Sequence, residues 1–247
     1  MNSHIQMPRC IIKNFENSAN ELYYINIEEK NCEIKKGHSK TLYTEENYYS
    51  KSVETFLDKK VESPFGEIAK FIKEVDLNST FTLPKDFKER THQFVAHLIY
   101  RGKRLQEEIN KNSVFFQFFS DFDKHNISII LAQNNDTIDK LLSQYEYTIA
   151  FNSTMIPFVL PTYGLIAFGL SSYSAFLLPI TPERAICLVH KDGLRLLIKN
   201  GRINILLFND NNKVKQINNY AYEHLKNNKY GCLISNNKSE LQRILTE

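Results

Sequence analysis

Between Tyr147 and Pro182 the chain carries no Asp, Glu, Lys or Arg, although 24% of its residues are charged. A run of this length must be buried, in lipid or in protein. A membrane helix needs about 20 mostly apolar residues, and the stretch from Met155 to Ile180 is long enough. Pro157, Pro161 and Pro179 stand against a span, with Gly164 and Gly169. Each proline removes a backbone donor and disfavours helix in the residue before it. Thr162, Ser171, Ser172 and Ser174 interrupt the apolar stretch, and no Lys/Arg cluster flanks it to set an orientation. Short apolar segments split by turn residues fit buried strands instead, at residues 147–151, 165–168 and 175–178.

The rest of the chain frames that sheet. "ELYYINI" followed by "CEIKK" reads as a hairpin across a polar "EEKN". From about Lys51 the pattern is helical, with Val53, Phe56, Leu57 and Val61 on one stripe. Ser63-Pro64 is suited to cap a second helix carrying Phe65, Ile68, Ile72 and Val75. A third starts at Pro84 and runs to about Asn110, with Phe87, Phe94, Leu98, Leu105 and Ile109 at helical spacing. "SVFFQFFSDF" (113–122) reads as core and "NISIILAQ" (126–133) as a strand. "NDTIDKLLSQY" follows as a helix with Asp136 as its cap. After Tyr147 strands are expected to about Phe208, then a helix over 215–227, a short strand in "YGCLISN" and a terminal helix in "KSELQRIL". Grouped helices followed by grouped strands predict an α+β fold, not alternating βαβ units. It has an N-terminal β-hairpin, central helices and a mostly antiparallel C-terminal sheet with terminal helices. A chain of 247 residues can bury one full core, so 1–247 is read as a single domain.

Charge is unevenly placed. Residues 181–247 carry 11 basic and 6 acidic side chains, an excess of 5, whereas residues 1–110 carry 17 of each. Such asymmetry hints at an anionic partner. Cys10, Cys32, Cys187 and Cys232 form no CxxC pair, and no histidine lies at ligand spacing from them, so no metal site is expected. No cofactor motif occurs: GxGxxG, GK[ST], HExxH and GxSxG are all missing. The N-terminus "MNSHIQMPRC" has no apolar stretch of signal-peptide length. A cytoplasmic chain with reduced thiols and no membrane span is the expectation.

One helix face invites a ligand. Arg90, Gln93, His97, Arg101, Arg104 and Glu108 recur at steps of three or four, opposite the apolar stripe. Guanidinium groups stacked this way can hold a phosphate by bidentate hydrogen bonds, with His97 among them to titrate or orient it.

The N-terminal "IQMPRCIIKNF", the hairpin, and "LYTEENYYSKSVETFLDKKVESP" together resemble a bacterial family defined only as domain of unknown function 4238. Its members open with a pattern like HYVPQFYLKNF and continue with an "lYt" segment, a helix holding a "kiEsp" Glu and a second holding an "LRtp" Arg. "TSDNP", "PLSP" and a late "iN" helix follow. Pro8, Ile12-Lys13-Asn14-Phe15, Leu42-Tyr43-Thr44, Glu62, Arg101, Pro157, Pro179-Ile180-Thr181-Pro182 and Asn218 match in order. Two positions depart. Ile5 stands where the family has His, with His4 one residue earlier, and Met155 stands where it has the Asp of "TSDNP". Neither Ile nor Met exchanges a proton. An offset by one in an extended segment also turns a side chain to the other face.

Three readings follow. In the first, Arg101, Arg104 and His97, with Glu62 orienting Arg101 and Asn218 as a further ligand-binding position, hold a phosphate-bearing partner such as nucleic acid. In the second, His4 acts as general base with Glu62 in a nuclease-like hydrolase. In the third, the chain is an interaction protein that keeps the family's fold without its chemistry and binds a protein partner.

Overall fold

The uncharged run supplies three strands of a five-stranded sheet. A computed structural model describes residues 2–76, 81–101, 126, 129, 136–170, 173–196, 198–199, 202–203 and 205–247. Strands β5 (Tyr145–Asn152), β7 (Ile166–Leu170), β8 (Tyr173–Thr181) and β9 (Arg184–His190) join β12 (Leu206–Phe208) in the order β12-β5-β9-β8-β7. All neighbours are antiparallel except β12 and β5. All three segments predicted in the run are strands. Pro179 is tolerated inside β8 because pairing with β7 stops at Leu177 and the register with β9 shifts between Pro179 and Thr181. A proline fits a strand only at such an edge or bulge.

Alternation along β8 explains the missing charge. Leu178 and Ile180 pack with the helices described next, while Ala175 and Leu177 pack on the opposite side with Val214, Ile217 and Ala221. Side chains on a strand alternate faces, and here both faces are covered. The second cover is α6 (Asn211–Asn228), which Asp210 caps by accepting from Asn212 N at 2.9 Å.

A second sheet, β3-β2-β13-β6, joins the expected hairpin β2 (Leu22–Asn26) and β3 (Ile34–Gly37) to β13 (Cys232–Ser235) and β6 (Leu160–Pro161). All its pairings are antiparallel. Short strand pairs add β1 (Asn2–His4) with β4 (Thr44–Glu46), and β10 (Ile198–Lys199) with β11 (Arg202–Ile203). Helix α7 (Lys238–Thr246) closes the chain, with Asn237 as its cap. The architecture is α+β. Among the described residues no helix is long and apolar enough to cross a membrane.

Gly231 enters β13 with φ at +96°, and a Cβ there would lie 2.7 Å from the Thr162 hydroxyl oxygen. That hydroxyl already accepts from Cys232 N at 3.0 Å, so it cannot step aside freely. Gly231→Ala should therefore cost about 1–3 kcal/mol in urea unfolding.

The helical layer differs from expectation in two places. Helix α2 (Lys51–Phe56), capped by Ser50, runs without a break through a π-helical turn, Leu57–Glu62, into α3 (Ser63–Glu74). Ser63 is therefore no cap; its hydroxyl donates to Asp58 Oδ1 at 3.0 Å. Pro64 cannot donate to the carbonyl one turn back, and the wider π turn carries the chain past it. Helix α4 (Phe87–Arg101) packs on α3 through a Phe65–Phe94 stack at 3.7 Å. Leu105, Ile109 and residues 113–122 lie outside the described residues. Asn126 and Ile129, the two described positions of the expected strand over 126–133, are helical. A short apolar run does not separate the two states by its period. Helix α5 (Asp136–Leu142) lies within the helix expected in this segment.

Candidate functional site

The N-terminal strand, the π turn and the end of α4 meet at Arg101. Pairing of β1 with β4 brings His4 opposite Thr44, and Ile5 N donates to Tyr43 O at 3.3 Å. Pro8 then turns the chain into α1 (Arg9–Ile12) and a 3-10 turn (Lys13–Phe15). Ile11, Ile12 and Phe15 are fully buried, while Arg9 and Lys13, four apart, stay on the exposed side.

Arg101 is only 2% exposed. Its Nη2 donates to Glu62 Oε1 at 2.5 Å and its Nη1 to Gln6 O at 3.3 Å; among the described residues Nε has no partner. The Tyr49 ring centroid lies 6.0 Å from the guanidinium carbon, and the Tyr49 hydroxyl donates to Ile5 O at 3.4 Å. Burial opposes the charge on Arg101, yet the Glu62 carboxylate outweighs it and its pKa lies above the ordinary value. The π turn matters here. It sets Glu62 on the side facing α4, and such turns recur at functional positions because they re-aim one side chain.

Two histidines border the pair. His97, one turn before Arg101, is 6% exposed, and its Nδ1 has no partner. Burial, helped by the Arg101 charge, pulls its pKa down to about 4. Burial also lowers the pKa of His4; Glu62 and a hydrogen bond with the Leu42 backbone offset only part of this. Both imidazoles are thus neutral at pH 7. Cys10 is pushed up to about 12 by burial and by Glu62, so no thiolate nucleophile forms there.

Glu62 also reaches a cleft of about 530 Å³, lined by Arg9, Cys10, Lys13, Glu62, Gly66 and Lys70 among others. Its acidic groups are engaged: Glu62 with Arg101, Glu67 with Arg90, and Asp58 with the Ser63 hydroxyl. Among the described residues Arg9, Lys13 and Lys70 have no acidic partner. Asp58, bonded to a neutral hydroxyl, offsets one of these charges, and the mouth of the cleft keeps an excess of positive charge.

The expected solvated stripe on α4 is divided. Arg90 is held by Glu67 and by Asp86 at 2.5 Å, Gln93 is exposed, and His97 and Arg101 are buried. The face is buried at this end because the π turn and the N-terminal strand cover it. Arg104 and Glu108 lie outside the described residues. His97 lines a different cleft, of about 480 Å³, shared with Phe56 and His92. Asn218 is not with this group. It is fully buried, donating to Pro157 O at 2.8 Å and Glu240 Oε1 at 2.7 Å and accepting from Val159 N at 3.2 Å. Every bond tightens the chain and none is left for a ligand. Met155, 89% exposed, lines a third cleft with Asn152 and Asn237. Among the described residues no group of three His, Cys, Asp or Glu side chains converges to hold a metal ion.

Arg9, Cys10, Tyr49, Gly66 and Lys70 were missed from sequence. The spacing of Arg9 and Lys13 is a usable signal; the approach of Lys70 to them, and of Tyr49 to Arg101, is long-range and leaves none.

No curated protein and no solved structure matches the chain. The sequence profile of a family of proteins of unknown function, DUF4238, matches residues 6–228. That span holds both Glu62 and Arg101, the family-like charged positions that the fold pairs, and it covers most of the 247 residues: the chain belongs to DUF4238.

Proposed function

We propose that this protein binds a phosphate-bearing ligand, nucleic acid included, in the cleft beside Glu62. The observation that carries the reading is the set of three cations with no acidic partner among the described residues, Arg9, Lys13 and Lys70, around a cleft where two of the three lining acids are already paired. Buried Arg101 supports it from below, by neutralising the Glu62 carboxylate that would otherwise repel an anion. A guanidinium this buried touches no flat polyanion surface, so contact with phosphate falls to the exposed cations.

Fluorescence anisotropy with labelled single-stranded RNA and duplex DNA, at low and physiological salt, tests this, with inorganic phosphate as competitor. Binding should weaken steeply with salt, because phosphate contacts release counterions. In Arg9→Ala/Lys13→Ala/Lys70→Ala the salt slope should be shallower by roughly 2–3. Gly66 gives a second handle, since a Cβ there meets nothing within 4 Å. Gly66→Ala should raise stability by about 0.5–1 kcal/mol, the usual gain in a helix interior. Gly66→Glu, which places a carboxylate in the cleft, should abolish binding without unfolding. Salt-insensitive binding, no binding at low salt, or binding unchanged in both variants ends the proposal.

The hydrolytic reading keeps one supporting observation, the neutral imidazole of His4 within electrostatic reach of Glu62. It requires cleavage of the same oligonucleotides that is lost in both His4→Ala and Glu62→Gln.

A further inference from the structure

Away from the charged cleft lies another of about 500 Å³, where the loop after β5, the turn between β8 and β9, the turn leading into β2 and the start of α7 converge. Its character is different. Asn17, Asn152, Asn236 and Asn237 all line it, and its two charged members, Glu183 and Lys238, are opposite in sign. Carboxamides carry a donor and an acceptor side by side, the same pairing that a peptide unit presents.

Part of this amide set is committed and part is open. Asn152 is spent on its own loop: Nδ2 donates to Ile156 O at 2.7 Å, and Oδ1 accepts from Thr154 N at 3.0 Å and the Thr154 hydroxyl at 2.7 Å. The Ser153 hydroxyl ties the same loop to Phe208 O at 3.1 Å. Those bonds hold Met155 outward at 89% exposure, beside Pro157 and Pro182. Asn17 and Asn237 use their side-chain oxygens on backbone N–H groups; among the described residues their amide nitrogens have no partner. Asn236 Oδ1 has no partner among the described residues and is shut off from solvent, so the half-buried side chain must turn to offer it to a ligand. A buried polar atom is left unpaired only rarely, and this one sits in a cleft wall.

We propose that this cleft is a peptide-binding site, taking a short extended segment of another protein. The amides of Asn17, Asn236 and Asn237 pair with its backbone, and Met155 covers one of its apolar side chains. A thioether on a fixed loop adapts to varied apolar shapes, and pairing to main chain is the general means of holding an extended peptide. The lining carries no net charge, so binding here is insensitive to salt, unlike binding at the Glu62 cleft.

A phage-displayed library of random nine-residue peptides, panned on the full chain, tests this. Enriched peptides, synthesised with a fluorophore, should bind the wild type equally at low and physiological salt. Asn236→Ala and Met155→Ser should each weaken them by at least tenfold with unchanged thermal melts; Met155 is exposed enough that its replacement leaves the fold intact. No enrichment overturns the proposal, as do peptides bound equally by both variants, steep salt dependence, or binding confined to a glycan array.

Discussion

Glu62→Leu is expected to destabilise the protein by about 3–5 kcal/mol, because it strands the Arg101 charge in the interior. Arg101 is 2% exposed and the Glu62 side chain 26%, so the two halves of the pair are not equivalent. Arg101→Met leaves a carboxylate that can turn toward the cleft and rehydrate, and should cost clearly less than Glu62→Leu. The double variant Glu62→Leu/Arg101→Met should recover most of the loss, since an apolar pair of similar volume is often neutral or better. Urea unfolding of the four proteins gives the coupling energy directly. A cost below about 1 kcal/mol for Glu62→Leu would mean the pair is solvated like a surface bridge. The double variant also separates stability from function. It should fold and still bind oligonucleotides, because it loses one positive and one negative charge together and keeps Arg9, Lys13 and Lys70 at the cleft.

The second large effect is an acid instability centred on His97. Its folded pKa of about 4 lies below the ordinary 6.5. Between those values the unfolded chain takes up a proton that the folded one refuses, so stability falls as pH falls. Above 6.5 there is no penalty; by about pH 4 the loss approaches roughly 3 kcal/mol and then levels off. His4 adds to the loss in the same direction. Chemical denaturation at half-unit steps from pH 7.5 to 4 measures this, and the difference between wild type and His97→Gln isolates the His97 part. Parallel curves for the two proteins would show that His97 is hydrated and ordinary.

Much of the fold is legible in the sequence. The uncharged run demands a sheet covered on both faces, and the hairpin, α6, β13 and α7 stand where turn residues and caps place them. Of the site, Glu62 and Arg101 emerge as a pair only through the order of family-like motifs. What misleads is the stripe on α4. Arg and His at helical spacing opposite an apolar stripe read as a wet surface, and nothing local reveals that a second layer covers that side. The π turn is equally silent, because it differs from an α turn by one register step and not by residue type. Lys70 joins Arg9 and Lys13 from a distant helix, a meeting that only tertiary packing creates.

The second sheet carries a consequence for synthesis. The hairpin near the N-terminus pairs not with its successors but with β13, Tyr23 lying opposite Ser235. At about 5–20 residues per second, the ribosome takes on the order of 10–40 s between making these partners. Through that interval β2 offers a bare edge, with Ile25 awaiting the cover it has in the finished core. The nascent chain is thus exposed to mispairing until β13 emerges, and a holding chaperone would find its target at the hairpin of β2 and β3.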